Sequence, residues 1–232
     1  NANCLFLNGH DLKQDLTQAL GQPVWLANDA DCFALSEAVD GAGEAGRVVF
    51  GIILGTGCGG GLVVNRQLIV GPNAITGEWG HNPLPGYDPA LDGPSQPCYC
   101  GRDNCIERFV SGTGFASRFV ERHGRGLSPI GIITAAAEGD VEAEAHYDHF
   151  IQALARSVAS LINVLDPDVI VLGGGLSNID RLYLDLPQAL TPYLFSDRCI
   201  TPMVPARYGD SSGVRGAAWL PSCVEGATTW AI

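Results

Sequence analysis

Apolar positions along the chain alternate between two spacings. Leu12, Leu16 and Leu20 recur every four residues, which predicts a short helix over 11–20 stopped by Gly21. Val24 to Ala27 is a continuous apolar run and reads as a short buried strand ending at Asn28-Asp29. A helix follows over 30–40, with Phe33, Ala34, Ala38 and Val39 on one face, and then a glycine-rich connection at 41–46, the candidate hinge. Val48 to Leu54 is a strong buried strand. After a run of glycines a second strand is expected around Leu62–Val64, and beyond the turn at Asn65-Arg66-Gln67 a third over Leu68–Val70.

Residues 71–105 are rich in Gly and Pro and show no period. A segment of that length without regular structure is usually functional or tied down. Helical composition returns at 106–122 and 130–138. From 142 to 165 the stripe Phe150, Ile151, Leu154, Val158, Leu161, Ile162 and Leu165 follows the 3.6-residue period until Asp166-Pro167 ends it. Val169 to Leu172 is a buried strand running into Gly173-Gly174-Gly175. Helices follow at about 179–194 and 213–220. Strands alternating with helices, plus one hairpin, predict an α/β fold with a mixed sheet. The expected division is a first unit over 1–45 and a second over 46–232, with the last helix (about 213–222) packing back on the first.

Composition narrows the function classes. The 232 residues, 46% apolar, suffice for a real core, and 30 glycines are roughly double the usual share. No apolar run approaches the roughly 18 residues of a membrane span, and no signal-peptide pattern opens the chain. A net charge of −12 without a basic patch argues against nucleic acid and anionic membranes as partners. Without a secretory signal the expected compartment is the reducing cytoplasm, where clustered cysteines favour metal over disulfides. Five of the eight cysteines (Cys4, Cys32, Cys58, Cys199, Cys223) are scattered and read as buried free thiols, whereas Cys98, Cys100 and Cys105 fall within eight positions.

The run Leu54-Gly55-Thr56-Gly57-Cys58-Gly59-Gly60-Gly61 leaves many backbone N–H groups unshielded, a nest suited to phosphate oxygens or simply a tight hairpin. A dinucleotide-binding fold requires a helix directly after the glycines, but Leu62-Val63-Val64 continues as strand. A P-loop requires Gly-Lys-Ser/Thr, which does not follow. Gly173 to Gly175, between strand and helix, is a second candidate nucleotide loop or an ordinary strand-to-helix turn. Asp29, at a strand end, is either a helix cap or a general base. His81 with Cys98, Cys100 and Cys105 supplies three thiolates and one imidazole, the donor set of a closed structural zinc site. Its task would be to hold Glu78 and Glu107 in place.

Ala27-Asn28-Asp29-Ala30, the glycine loop, Gly77-Glu78-Trp79-Gly80-His81, Cys98-x-Cys100-Gly101-x3-Cys105-Ile106-Glu107 and Val171-Leu172-Gly173-Gly174-Gly175 occur together and in order. This set resembles the ROK family of bacterial sugar kinases and sugar-responsive repressors, over Asn1 to about Leu220, with wording most like its fructokinase/mannokinase branch. The resemblance implies the actin-like ATPase, ribonuclease H-like sugar kinase fold. It implies Asp29 as general base, and Asn28, Glu78, His81 and Glu107 on the sugar hydroxyls, with His81 also ligating zinc. It implies Gly55, Thr56, Gly57, Cys58, Gly59, Gly60, Gly61 and Leu62 around the ATP phosphates, Gly173 and Gly174 beside the adenosine, Mg²⁺ with the ATP, and a homodimer. Family kinases open with an Asp-x-Gly-Gly-Thr loop that this sequence lacks. With Asn1-Ala2-Asn3 at its start, the chain is expected to be truncated by about a quarter.

The expected activity is phosphorylation of a hexose, fructose first, at the 6-hydroxyl. The alternatives are a sugar-sensing repressor domain without catalysis and a zinc-stabilised domain without a ligand. An intact glycine loop with Asp29 favours the enzyme.

Overall fold

The computed structural model describes residue 7 and residues 9–223, so the expectations on Asn1–Asn3 and Cys4 lie outside the described residues. Helix α1 spans Leu12–Leu20, capped by the Asp11 side chain and closed by Gly21 in the left-handed conformation. Helix α2 spans Asp29–Val39. Strands β1 (Val48–Leu54) and β2 (Cys58–Val64) form the hairpin, and β3 is reduced to Gln67–Leu68. Short helices α3 (Pro89–Asp92) and α4 (Glu107–Val110) lead to α5 (Gly112–His123) and α6 (Pro129–Ala137). The long helix α7 (Val141–Leu165) precedes β4 (Val169–Gly173), α8 (Leu182–Leu190), β5 (Met203–Pro205) and α9 (Ser212–Cys223).

One five-stranded sheet has the order β3-β2-β1-β4-β5. Strand β1 pairs antiparallel with β2 and parallel with β4, and β4 pairs parallel with β5. Alternation along β1 sends Phe50, Ile52 and Leu54 to one face, where they pack with α5, α7 and α8. Val49, with Val63, Val169 and Val171, faces α2 and α9 on the other. The result is a three-layer α/β/α arrangement, as the mixed-sheet expectation required.

Several expectations are corrected. Residues 24–27 form no strand, because a strand needs a partner ladder and no described segment supplies one there. The helix expected over 106–122 breaks at Ser111, whose hydroxyl caps α5 by accepting from the Gly114 N–H at 3.0 Å. The helix expected over 179–194 is regular only over Leu182–Leu190 and ends in a 3₁₀ turn at Thr191–Tyr193 containing Pro192. Edge strand β5 was missed because three residues carry too little pattern. Cys199, expected to be buried, is exposed.

Helix α2 is buried on all sides and not on one face: Ala30 through Ala38 are covered by the sheet and by α9. The approach of α9 is so close that a Cβ on Gly216 would collide with the Cys32 carbonyl oxygen. Glu37, wholly buried, ties the two together. Its carboxylate accepts from the Ala42 N–H at 2.9 Å, the Arg207 N–H at 3.0 Å, the Tyr208 N–H at 3.3 Å and the Ser212 hydroxyl at 2.7 Å. The 41–46 connection is thus a tight turn held by a buried carboxylate. Among the described residues no helix is long and apolar enough to cross a membrane.

Candidate functional site

The site gathers at the carboxyl ends of β1 and β4, where open α/β sheets place ligands. Capping of α2 falls to Asn28, whose side-chain oxygen accepts from the Ala30 N–H at 2.8 Å. Asp29 is therefore the first residue of the helix itself, and both side chains are exposed. Sequence reasoning had left open whether Asp29 was the cap.

The glycines divide by task. Gly59, Gly60, Gly61 and Leu62 lie inside β2, opposite Ile53, Ile52, Gly51 and Phe50. A Cβ on Gly61 would come within 2.8 Å of the Ala34 Cβ and 3.0 Å of the Asp31 Cα, so this glycine admits α2 to the sheet. Only Gly55, Thr56 and Gly57 form the hairpin tip, with Thr56 exposed and the Gly55 N–H donating to the Gly57 carbonyl at 3.0 Å. Cys58 is buried, and burial followed by the nearby Glu107 charge pushes its thiol well above the ordinary value. Gly174 has φ +81°, and a Cβ there would lie 2.6 Å from the Leu54 carbonyl. The two glycine loops are thus in contact. The N-terminus of α5 joins them, Gly112 donating to the Gly55 carbonyl at 2.7 Å. Gly173 is buried against the Phe33 ring, where a Cβ would stand 2.6 Å from Cζ.

The 77–81 segment lies along β2. Trp79, 3% exposed, donates its indole N–H to the Gly59 carbonyl at 3.0 Å. Side chains on Gly77 or Gly80 would collide with the carbonyls of Gly60 and Cys58. Glu78 is thereby set beside the first turn of α2. Glu107, opening α4, reaches the hairpin: its Oε2 accepts from the Cys58 N–H at 2.9 Å.

Asp31 was missed by sequence reasoning, although an acid in register with Ala34, Leu35 and Ala38 was a signal. It is 9% exposed and its Oδ1 has no hydrogen-bond partner. Burial, then the charges of Glu78 and Asp29, raise its carboxyl from 3.8 to about 7. Between those two values the folded chain holds more protons than the unfolded one, so this group's contribution to stability falls as pH rises through the window. Asp31→Asn is expected to raise Tm at pH 8 and to leave it nearly unchanged at pH 4. A thermal melt series against pH checks this, and an equal shift at both values refutes it.

His81, Cys98, Cys100 and Cys105 converge, with their donor atoms within 4.8 Å of one another. The Cys98 Sγ lies 3.6 Å from the His81 Nδ1, and the Cys100 and Cys105 sulfurs are 3.5 Å apart. A tetrahedral ion with bonds of about 2.3 Å to sulfur and 2.0 Å to nitrogen spaces its ligand atoms by roughly 3.5–3.8 Å. The four residues therefore fit a metal ion. The Arg102 backbone N–H, directed at the Cys100 sulfur, lowers that thiol and favours the thiolate a metal needs. The knuckle is made by the Arg102 carbonyl accepting from the Cys98 N–H at 2.8 Å and by Gly101 at φ +87°. Two anchors independent of metal hold the rest of the segment: the buried pair of Asp92 with Arg156, and Arg156 donating to the Gly86 carbonyl at 2.8 Å.

The sheet order, with an antiparallel second strand and ligand loops at the ends of β1 and β4, defines the class: an actin-like ATPase lobe of the sugar kinase type. Residues 1–223 match the ROK family, and the chain belongs to that family. An N-acetyl-D-glucosamine kinase of Yersinia pseudotuberculosis is 43% identical over 222 residues, covering 94% of this chain and 73% of the relative. The structure of a Thermus thermophilus ROK hexokinase aligns with TM-score 0.79 at 30% identity, over 89% of this chain and 67% of that one. A Streptomyces griseus ROK glucokinase solved with glucose and AMPPNP aligns with TM-score 0.75 at 27% identity, over 90% of this chain and 71% of that one.

Proposed function

We propose that the chain, which spans 73% of the length of its Yersinia relative, acts in ATP-dependent transfer of the γ-phosphoryl group to the 6-hydroxyl of a hexose. The observation that supports this reading is the combination of Asp29 at the head of α2, a Glu78 charge that acts with it on Asp31, and a hairpin tip that Gly174 and the α5 N-terminus adjoin. An alcohol is a weak nucleophile near neutral pH, and Asp29 takes its proton. Asn28, Glu78, His81 and Glu107 hold the other hydroxyls, with one oxygen of Glu107 committed to Cys58. The tip N–H groups of Gly55 to Gly57 face the phosphates, and Gly173 with Gly174 lets the nucleoside approach the backbone. Mg²⁺ held with the ATP supplies positive charge at the transferring group.

The four-residue cluster takes zinc. With all four positions filled by protein, the ion supplies fixed geometry and no catalytic water. Because α2 shares one core with the sheet and α9, and buried Glu37 holds the 41–46 turn, this reading places no hinge at 41–46 and keeps α2 with the 46–232 unit. A homodimer in the cytoplasm completes the reading.

Relatives at 41–43% identity are N-acetyl-D-glucosamine kinases, so N-acetyl-D-glucosamine stands ahead of fructose as the substrate. A kinase assay over N-acetylglucosamine, glucose, mannose and fructose tests this, using the protein extended to the length of its relatives. Turnover with at least one hexose is expected. Binding without turnover would support the repressor reading, and neither would leave a ligand-free domain.

A further inference from the structure

Tyr99 sits between two cysteines of the metal cluster and has no assigned role. The residue is 78% exposed, yet its hydroxyl lies 2.9 Å from the His81 Nε2. The two rings meet edge-on, with centroids 5.1 Å apart and planes at 89°. The His81 Nδ1 faces the Cys98 sulfur and the metal position. With a metal on Nδ1, Nε2 would carry the imidazole proton and donate it to the Tyr99 oxygen.

The hydroxyl is thus engaged by the His81 ring and keeps a proton of its own. A sugar hydroxyl held by His81 would meet the same nitrogen in the same way, since each is an O–H that accepts one bond and donates one.

We propose that Tyr99 is a specificity-determining residue that occupies the hexose's place on His81, so that sugar binding must displace the phenol from Nε2. The inference deepens the sugar-kinase reading and rests on it. Two features support it. Tyr99 is exposed, and its ring can swing outward without opening a cavity in the core. Its hydroxyl touches a residue assigned to the sugar. A hexose must then offer more than the phenol does. One that presents two hydroxyls to His81 and Glu78 together displaces it, whereas a deoxy analogue lacking one of them does not.

The test compares wild type with Tyr99→Phe by calorimetric titration with N-acetylglucosamine, glucose and fructose, with bound zinc measured on both. Tyr99→Phe is expected to tighten hexose binding about 3- to 10-fold, the scale of one hydrogen bond no longer broken on entry. In the extended protein KM should fall by the same factor with kcat within about twofold. Bound zinc should be unchanged. An unchanged hexose Kd, or a weaker one with zinc retained, would overturn the proposal and make Tyr99 a bystander or a direct sugar contact. A weaker Kd with zinc lost would also overturn it, because Tyr99 would then be a metal-supporting residue only. If wild type binds no hexose at all, the sugar-kinase reading itself fails, and that result is seen before the variant is used.

Discussion

Asp29→Asn is expected to lower kcat by ~10²-fold or more, the usual scale for a lost general base, while hexose affinity changes by less than about threefold. Asparagine has the same shape and can still accept from the Ala30 N–H, as the Asp29 Oδ1 does at 2.9 Å. Asn28 caps the helix whether or not residue 29 is charged, so α2 should remain in place. What asparagine cannot do is take a proton. Steady-state kinetics of the extended protein, with hexose Kd measured separately, checks the split. An unchanged kcat would remove Asp29 from the chemistry, and a large loss of affinity at constant kcat would reassign it to substrate holding.

The second large effect is expected from the metal cluster. Cys105→Ser, or exhaustive chelation, should weaken hexose binding at least ~10-fold, within the range seen when support around a metal ligand is lost. Proteolysis should become confined and not general. Trp79 pins the near end of the 71–105 segment on β2, and Arg156 pins its middle through Asp92 and Gly86. The knuckle from Cys98 to Cys105 is held by loop hydrogen bonds and, on the proposed reading, by a metal, so cleavage should appear there first once the metal is removed, followed by loss of the His81 orientation. Mass spectrometry of limited digests and elemental analysis of chelator-free protein measure both. Protein without a bound transition metal that still binds hexose would sink this account.

Most of the sheet and the long helices were legible because their signals are local. Phe50, Ile52 and Leu54 alternate, and the α7 stripe repeats every 3.6 residues over 25 positions. The cluster of His81 and three cysteines was legible because donor type and spacing alone limit what it can bind. What could not be read depended on partners distant in sequence. Residues 24–27 have strand composition but no ladder to join. The glycines at 59–61 looked like one phosphate loop with 55–57, yet they serve the approach of α2 and Trp79, whose positions no local pattern gives. Asp31 and Tyr99 were passed over for the same reason. One becomes important through its burial and through Glu78, forty-seven positions on, and the other through His81.

The contact of Gly216 with the Cys32 carbonyl bears on the order in which the molecule is made. Among the described residues the outer side of α2 is covered by α9, at 212–223, which is translated nearly two hundred residues after it. Glu37 likewise waits for Arg207, Tyr208 and Ser212. A nascent chain can therefore assemble β1, β2 and β4 with α5 to α8 while the helix that bears Asp29 is still unsecured. A chain released before α9 would carry a folded sheet with α2 still unanchored.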